Sequence, residues 1–368
     1  MVKFQANKKN KNLDKTIVMP SILSELKKEK RKENKLFLKI IIALFIIGTA
    51  SGLFLFYGPI STFRSFWITS AMTSMTHQYL ATWFYNDKTI NEVLSNNHII
   101  EVKEDTNPDL IDFKDYNQNQ TIYKNEYEKE ILTKDPDNDL YKVIDIKGKS
   151  YQGYLVAIYD PSRVSIATTA YLGKRGEAIT TVAKREKAII AMNAGGFYDP
   201  DWNSNGALPH GVVISNGKVV SEYESARMSG GFVGFTKENK LVLGKMSKQE
   251  ALNMGIRDAV EFGPFLIVNG KSSFVKGNGG WGIAPRTAIG QRSDGIVLFL
   301  VINGRITSSI GADMGDLTEI MENYGAINAA NMDGGSSTAL VINNKIINHP
   351  VAGGKNGLRD IPTFWVVK

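Results

Sequence analysis

The segment INAANMDGGSSTALVI, residues 327–342, carries the strongest chemical signal in the chain. Small residues typical of a buried strand lead to Asp333, and apolar residues resume shortly afterwards. The polar turn between these two runs consists of Gly334, Gly335, Ser336 and Ser337. Acidic residues are disfavoured inside strands, so a carboxylate in this place either caps a turn or performs chemistry. Asp333 is therefore the candidate base or nucleophile.

The segment IIAMNAGGFYD, residues 189–199, offers a second set of polar groups. An apolar run ends at Asn193, and the glycine pair Gly195 and Gly196 follows, with Asp199 a little further on. Paired glycines let backbone amides approach an anion closely. We predict an anion-binding nest at the glycine pair, with Asn193 as a side-chain donor and Asp199 as a reserve carboxylate. A strand that simply ends in a glycine turn is the alternative.

Two arginines precede apolar runs, where a sheet would fix their positions. Arg286 lies in GIAPRTAIG, and Arg359 lies in GGKNGLRDIPTFWVV before the last predicted strand. A guanidinium fork matches two phosphate or carboxylate oxygens at once. Arg286 is therefore predicted to hold a phosphate or carboxylate group, a surface salt bridge being the alternative, and Arg359 alone is unremarkable.

The remaining titratable candidates are weaker. Glu261 precedes a Gly263-Pro264 turn and is a further reserve carboxylate, and His210 in LPHG is a candidate proton donor to a leaving oxygen. The chain has no cysteine and only four histidines, which excludes thiolate metal sites and argues against a multi-histidine centre.

The sequence requires no cofactor but leaves room for a divalent cation such as Ca²⁺. Oxygen ligands for it would come from Asp199, Asp201, Asp313 and Asp316. Their spacing matches no EF-hand loop.

The elements that must position these residues begin near Tyr141. Short β-rich runs alternate with turn signals, among them Asn216-Gly217, which suits a type I′ hairpin. Helices are predicted around 177–187 and 314–324. Residues 141–368 are therefore predicted to form an α+β domain with a predominantly antiparallel or mixed sheet and a few helices.

A membrane segment precedes this domain in the prediction. Residues 40–63 are uncharged and long enough to cross a bilayer, for which about 20 apolar residues suffice. The lysine-rich residues 1–39 should stay cytoplasmic, which puts the C-terminal domain outside the cell as a single-pass protein of the cell membrane. A cleaved signal peptide is the alternative, and the long polar lead argues against it. Residues 64–140 are predicted to be a helix followed by a solvated acidic linker.

The net charge of +7 does not indicate a nucleic-acid partner. Basic residues crowd into residues 1–39, so the charge says little about a DNA-binding face.

The motifs occur in the order N-A-G-G-F, G-P-F-L, P-R-T-A-I-G, N-M-D-G-G-S-S and a final arginine before the last strand. In this the chain resembles the phosphodiester glycosidase family over about residues 141–368. The resemblance implies hydrolysis of a sugar 1-phosphodiester in an extracellular glycan, cell-wall or exopolysaccharide polymer, releasing the sugar and leaving a phosphate monoester. It places eight residues in the pocket: Asn193, Gly195, Gly196, Arg286, Asp333, Gly334, Ser336 and Arg359. The chain departs from the family pattern at Ser336, often a third glycine, and at the R-D-I-P of residues 359–362.

Two other functions fit the same residues. A non-catalytic module could bind anionic glycopolymer through the arginines and glycines, but it would need no placed carboxylate. A wall-polymer phosphodiesterase would cleave P–O rather than C–O, a reaction that usually uses metals.

Overall fold

A computed structural model describes residues 15–74, 77–113, 122–198, 205–223 and 230–368, with side chains from residue 23 onward. The chain forms two compact units, one ending at Arg64 and the other running from Ser65 to Lys368.

The first unit contains one long helix, α1 (Lys15–Tyr57). Its part from Leu23 to Tyr57 is long and apolar enough to cross a membrane, as either an anchor or a signal sequence would be. The helix ends six residues before the predicted boundary at residue 63, because Gly58 and Pro59 follow. Proline lacks an amide hydrogen and disfavours helical conformation in the residue before it. The apolar stretch 40–63 is therefore not one continuous helix, and α2 (Ser61–Thr73) begins beyond the break.

Six more helices and nineteen strands follow α2 in the described residues. The helices are α3 (Tyr79–Thr82), α4 (Asp87–Ser95), α5 (Glu126–Leu132), α6 (Ile179–Arg185), α7 (Lys248–Asn253) and α8 (Met314–Asn323). The first ten strands are β1 (His98–Ile100), β2 (Tyr141–Lys147), β3 (Gln152–Ile158), β4 (Val164–Thr168), β5 (Ile190–Asn193), β6 (Gly211–Ser215), β7 (Lys218–Tyr223), β8 (Gly231–Thr236), β9 (Leu241–Gly244) and β10 (Ile256–Phe262). The others are β11 (Phe265–Val268), β12 (Lys271–Ser272), β13 (Phe274–Lys276), β14 (Arg286–Arg292), β15 (Val297–Ile302), β16 (Ala326–Met332), β17 (Leu340–Ile342), β18 (Lys345–Ile346) and β19 (Thr363–Val367).

The strands form three main sheets, and every ladder in them is antiparallel in the described part of the chain. The seven-stranded sheet has the order β12-β11-β16-β14-β15-β3-β2. Two five-stranded sheets have the orders β7-β6-β10-β8-β9 and β18-β17-β5-β19-β4, and β1 pairs with β13 in a separate ribbon. The predicted α+β class with antiparallel sheets is confirmed.

A shared core lies where the three main sheets meet. Side chains from all three contribute to it, and Trp365 packs edge-to-face on Phe235 with ring centroids 5.6 Å apart. Burying one large apolar side chain contributes about 2–3 kcal/mol. The sheets are thus held together by apolar contacts behind the strand ends that carry the polar motifs.

Each main sheet also has a helix packed on its outer face. Helix α8 packs on the seven-stranded sheet, α6 on the sheet that contains β5, and α7 on the sheet that contains β10. Successive side chains of a strand point to opposite faces, so strands buried on both sides are apolar throughout. In β3, Leu155 and Ala157 face α8, whereas Val156 and Ile158 face the shared core.

The segment predicted to be a solvated linker packs on the domain at several points of its described part. Strand β1 pairs with β13, Thr106 exchanges hydrogen bonds with the backbone of Leu243, and Ile111 and Ile131 are fully buried. Glu101 accepts a hydrogen bond from the amide of Phe265 and pairs with Lys245 at 2.5 Å. The acidic residues of this segment therefore bind partners on the domain, a possibility that composition alone does not indicate.

Two local predictions are confirmed. Helices α6 and α8 lie within the predicted ranges. Asn216 and Gly217 join β6 to β7, and both have positive φ, of 52° and 71°, as a type I′ turn requires.

Candidate active site

Asp333 lies directly after β16, at the end of the strand that pairs with β14. Thr287 pairs with Met332 in this ladder, so Arg286 and Asp333 stand at the same end of neighbouring strands. The Asp333 amide donates to the carbonyl of Ala194 at 3.0 Å, and the Asn193 side-chain amide donates to the Asp333 carbonyl at 2.6 Å. The backbone of Asp333 is therefore bound on both its donor and its acceptor side.

The Asp333 carboxylate is half-buried, and opposing effects act on it. Its Oδ1 accepts a hydrogen bond from the amide of Gly334 at 3.0 Å. Burial raises the pKa of Asp333 above its usual value, while the Ser337 side chain, Arg359, the Gly334 amide and Arg286 all lower it. The group is a carboxylate in a poorly solvated place whose charge is offset by two guanidinium groups.

Arg286 is buried, with 5% of its surface exposed, and most of its donors are used within the protein. Nε donates to the carbonyl of Ala312 at 3.1 Å, and Nη2 donates to those of Trp281 at 2.5 Å and Gly282 at 2.6 Å. Burial lowers the pKa of Arg286 to about 10, an effect opposed chiefly by Asp313. The predicted two-nitrogen fork toward a phosphate is therefore wrong, because Nε and Nη2 are committed. Nη1 is the nitrogen beside the turn, 3.7 Å from where a Cβ of Gly334 would lie.

Arg359 joins the same site from the loop before β19. Its guanidinium carbon lies 4.5 Å from the centroid of the Phe197 ring, within the range of a cation–π contact. The side chain is half-buried, and its charge lowers the pKa of Asp333. The structure thus brings Arg359 and Asp333 together, as the motifs predicted.

Arg305 is a site residue that the sequence analysis missed. Ile302 pairs with Arg286, and the chain then turns through Gly304, which packs against Pro285, to Arg305. Nη1 of Arg305 donates to the Ser336 hydroxyl at 3.2 Å, and burial lowers the pKa of Arg305. The sequence signal for Arg305 is its position just after the end of a strand. The pairing of β15 with β14, which brings Arg305 to the site, cannot be predicted from the sequence.

Gly195 and Gly196 do not form the predicted nest. A nest needs a residue in left-handed conformation, and neither Gly195 nor Gly196 has a positive φ. A Cβ on Gly195 would lie 3.2 Å from Val260, and one on Gly196 would lie 2.7 Å from the Phe262 ring. Glycine is therefore required here for close packing against β10.

The amides of a second glycine pair, Gly334 and Gly335, are engaged within the protein. The Gly334 amide binds the Asp333 carboxylate, and the Gly335 amide donates to the carbonyl of Pro285 at 2.8 Å. The Gly334 and Gly335 amides are therefore bound within the protein, and the other polar groups at this turn are the guanidinium groups and the hydroxyls of Ser336 and Ser337.

Asn193 is likewise not a donor to a ligand. Its side chain is fully buried, and Oδ1 accepts hydrogen bonds from Thr287 Oγ1 at 2.9 Å and from the Ala339 amide at 3.0 Å. With Nδ2 bound to the Asp333 carbonyl, Asn193 is a positioning residue.

His210 and Glu261 form a neighbouring group. The Val212 amide donates to Glu261 Oε2 at 3.0 Å, the His210 amide donates to the carbonyl of Gly196, and the His210 ring lies 3.4 Å from where a Cβ of Gly196 would stand. Burial raises the pKa of Glu261, and Glu222 adds to the rise. Both candidates thus lie around Gly196: the His210 ring lies beside it, and Glu261 precedes Phe262, whose ring packs against it.

The four aspartates considered for Ca²⁺ are not shown to converge. Asp199 and Asp201 lie outside the described residues. Asp313 and Asp316 form a reciprocal capping box at the start of α8, with hydrogen bonds of 2.9 and 3.0 Å. Among the described residues no group of three or more histidine and acidic side chains is arranged to hold a metal ion.

The fold and site together define an antiparallel α+β domain in which a carboxylate and several guanidinium groups meet at a strand end. Residues 186–368 match the phosphodiester glycosidase family, and this part of the chain belongs to it.

Curated relatives agree with that family. The chain is 29% identical over 215 residues to the SPβ prophage-derived uncharacterized protein YomE of Bacillus subtilis (strain 168), covering 56% of this chain and 32% of the relative. It is 25% identical over 231 residues to the N-acetylglucosamine-1-phosphodiester alpha-N-acetylglucosaminidase of Mus musculus, covering 55% of this chain and 42% of that enzyme. The chain thus spans less than half the length of these relatives.

A solved structure shares the fold. The zebrafish N-acetylglucosamine-1-phosphodiester alpha-N-acetylglucosaminidase catalytic domain, auto-inhibited by its pro-peptide, superposes with a TM-score of 0.51 and 22% identity. The match covers 64% of this chain and 85% of that one. At this identity the likeness concerns the fold.

Proposed function

We propose that the domain is a hydrolase of sugar 1-phosphodiesters that cleaves the C–O bond at the anomeric carbon. The observation that carries the proposal is the placement of the Asp333 carboxylate at a strand end beside Arg286 and Arg359, whose charges oppose the rise in its pKa that burial causes. Family membership of residues 186–368 supports the substrate class.

The arginines provide the binding half of the proposal. A phosphodiester carries one permanent negative charge, and hydrogen bonds between ionised partners contribute about 1.5–3 kcal/mol each. Arg286 offers Nη1 at the base of the turn, while Arg359 and Arg305 approach from two other loops. Because Arg286 is fixed by three carbonyls, it would hold the phosphate without reorganising.

Asp333 provides the chemical half. A phosphate monoester is a good leaving group, so the site must chiefly stabilise an oxocarbenium-like centre and deliver water or a carboxylate to C1. Asp333 would act in its ionised form, as the base that activates water or as the nucleophile. Glu261, whose pKa is raised, and His210 are the groups proposed to donate a proton to the leaving oxygen.

The proposed substrate is a glycan or sugar-phosphate polymer outside the cell, such as wall polymer or exopolysaccharide. The apolar helix α1 would anchor the protein as a single-pass membrane protein, with the lysine-rich residues 1–39 in the cytoplasm. The proposed reaction uses no cofactor, and a divalent cation such as Ca²⁺ is tested by repeating the assay after chelation and after adding the cation back.

The test uses the full chain in detergent with methyl N-acetylglucosamine 1-phosphodiester and UDP-N-acetylglucosamine in H₂¹⁸O. We expect the label in the released sugar and unlabelled phosphate monoester. Label in the phosphate would establish P–O cleavage instead, and binding without turnover would establish a binding module.

Asp333→Asn tests the carboxylate in the same assay. It should lower kcat by at least about 10³-fold, since a catalytic carboxylate is lost while its size is kept. Asp137→Asn, at a surface turn, is the matched control and should retain full activity. Near wild-type turnover by Asp333→Asn would remove Asp333 from the mechanism.

A further inference from the structure

Two of the three carbonyls that hold the Arg286 guanidinium belong to one loop, residues 277–283, which we call the support loop. The carbonyls of Trp281 and Gly282 accept both hydrogen bonds from Arg286 Nη2, at 2.5 and 2.6 Å. The position of this loop therefore sets the direction in which Nη1 points.

Helix α2 holds the support loop by a buried hydrogen bond. Asn278 Nδ2 donates to the Thr69 hydroxyl at 2.7 Å, and that hydroxyl donates its own proton to the carbonyl of Ser65 at 2.6 Å. Thr69 is fully buried and Asn278 is 9% exposed. The Thr69 oxygen is thus oriented as an acceptor for the loop.

The backbones of α2 and the loop also touch directly. Gly282 has a φ of +63°, and a Cβ there would lie 2.6 Å from Ser70 Oγ and 2.8 Å from the Ser70 nitrogen. No side chain fits between them. The Thr73 hydroxyl lies 3.3 Å from the Trp281 carbonyl, which is one of the two that bind Arg286.

We propose that Thr69 and Ser70 of α2 are positioning residues for Arg286, acting through Asn278 and Gly282. This inference rests on the proposed function, in which Arg286 grips the phosphate. It extends the working site to a helix that lies outside residues 186–368, the part matched by the family. The segment that follows the apolar helix would then be a part of the enzyme and not a spacer.

The test compares Thr69→Val, which keeps the side-chain shape but removes the acceptor, with Thr69→Ser, which restores it. The matched control is Thr318→Val, because the buried Thr318 hydroxyl donates to the Met314 carbonyl within α8. All variants are full chains in detergent. We expect Thr69→Val to lower kcat/KM for the methyl sugar 1-phosphodiester about tenfold and to weaken binding of inorganic phosphate. Thr69→Ser should recover most of the loss, and Thr318→Val should lower kcat/KM less than threefold.

A double-mutant cycle with Arg286→Lys separates positioning from general destabilisation. If Thr69 acts through Arg286, Thr69→Val should change phosphate affinity less than twofold in the Arg286→Lys background. An equal loss in both backgrounds, or no loss in the wild-type background, would overturn the inference.

Hydrogen exchange gives a readout that does not need turnover. Amides of residues 277–283 should exchange at least fivefold faster in Thr69→Val than in the wild type, with little change in Thr318→Val. Should the wild type neither bind phosphate nor cleave the diester, the proposed function fails by itself. The hydrogen-exchange measurement then tests whether Thr69 holds the support loop. Unchanged exchange of residues 277–283 in Thr69→Val would refute that role.

Discussion

The side-chain amide of Asn193 donates to the backbone carbonyl of Asp333 at 2.6 Å, which ties the end of β5 to the end of β16. The Asn193 oxygen accepts from Thr287 and from the Ala339 amide. One buried asparagine therefore joins two sheets at the point where the candidate catalytic carboxylate emerges, and the position of Asp333 depends on it.

Asn193→Asp should lower both stability and activity. The substitution keeps the shape but removes the donor to the Asp333 carbonyl, and a buried polar group without its partner costs about 1–3 kcal/mol. We expect the free energy of unfolding, measured with urea, to fall by at least this amount and kcat to fall at least tenfold. Asn343→Asp, in the exposed turn between β17 and β18, is the control and should change stability by less than about 0.5 kcal/mol. Equal effects of the two variants would show that Asn193 does not position Asp333.

Arg286→Lys should lose far more activity than Arg305→Lys. A lysine keeps the positive charge, but its single nitrogen cannot serve the carbonyls of Trp281, Gly282 and Ala312 and also face the substrate. The expected cost is about 2–4 kcal/mol in kcat/KM, roughly 30-fold to 1,000-fold. Arg305 is more exposed, and its replacement by lysine should cost less than about 1 kcal/mol. Steady-state kinetics on the methyl sugar 1-phosphodiester measure kcat/KM for both variants. Equal losses in the two variants would contradict the assigned roles.

Arg359→Gln should shift the acid limb of the pH–rate profile to higher pH. Burial raises the pKa of Asp333 and Arg359 lowers it, so removing the Arg359 charge leaves the raising effect less opposed. Because Asp333 is proposed to act ionised, activity should rise with pH, and in the variant this rise should occur at higher pH. Arg359→Lys keeps a charge and should shift the limb less. An unmoved acid limb in Arg359→Gln, measured as kcat/KM against pH, would mean that Arg359 does not act on Asp333.

The sequence was sufficient to predict that Asp333 and Arg286 lie at strand ends. Asp333 and Arg286 were both predicted at the borders of apolar runs, and the pairing of Thr287 with Met332 brings them together. The α+β class followed from short β-rich runs between turn signals, and these are local properties.

The features that the sequence analysis did not predict depend on contacts between segments distant in sequence, and no local sequence pattern indicates such contacts. Asn193 was predicted to face a ligand, yet three partners far away in sequence use its polar atoms. Arg305 was missed because its place beside Ser336 arises only when β15 pairs with β14. In the same way an acidic, polar composition indicated a solvated linker, although Ile111 and Ile131 bury their side chains in the domain.

Asp316 should make the protein less stable as the pH rises from about 4 to about 6. Burial is the main cause that raises its pKa from 3.8 to about 6, and the neighbouring Asp313 and Glu319 add to the rise. The folded state then binds more protons than the unfolded state between these two values, so the free energy of unfolding falls across this window. The rise from 3.8 to about 6 sets an upper limit of roughly 3 kcal/mol, and because solvent screens a partly exposed group the expected effect is about 1–3 kcal/mol.

Asp316→Asn removes this loss while keeping an oxygen that can accept from the Asp313 amide, a bond of 2.9 Å in the wild type. We expect wild type and variant to differ little near pH 4 and the variant to be more stable by about 1–3 kcal/mol at pH 7, measured by urea unfolding in detergent. Glu319→Gln removes one of the charges that raise the pKa of Asp316. It should therefore reduce, but not abolish, the fall of the free energy of unfolding with rising pH. A difference between wild type and Asp316→Asn that stays constant from pH 4 to pH 7 would refute the raised pKa. Such a result would leave the capping box at the start of α8 as the whole contribution of Asp316.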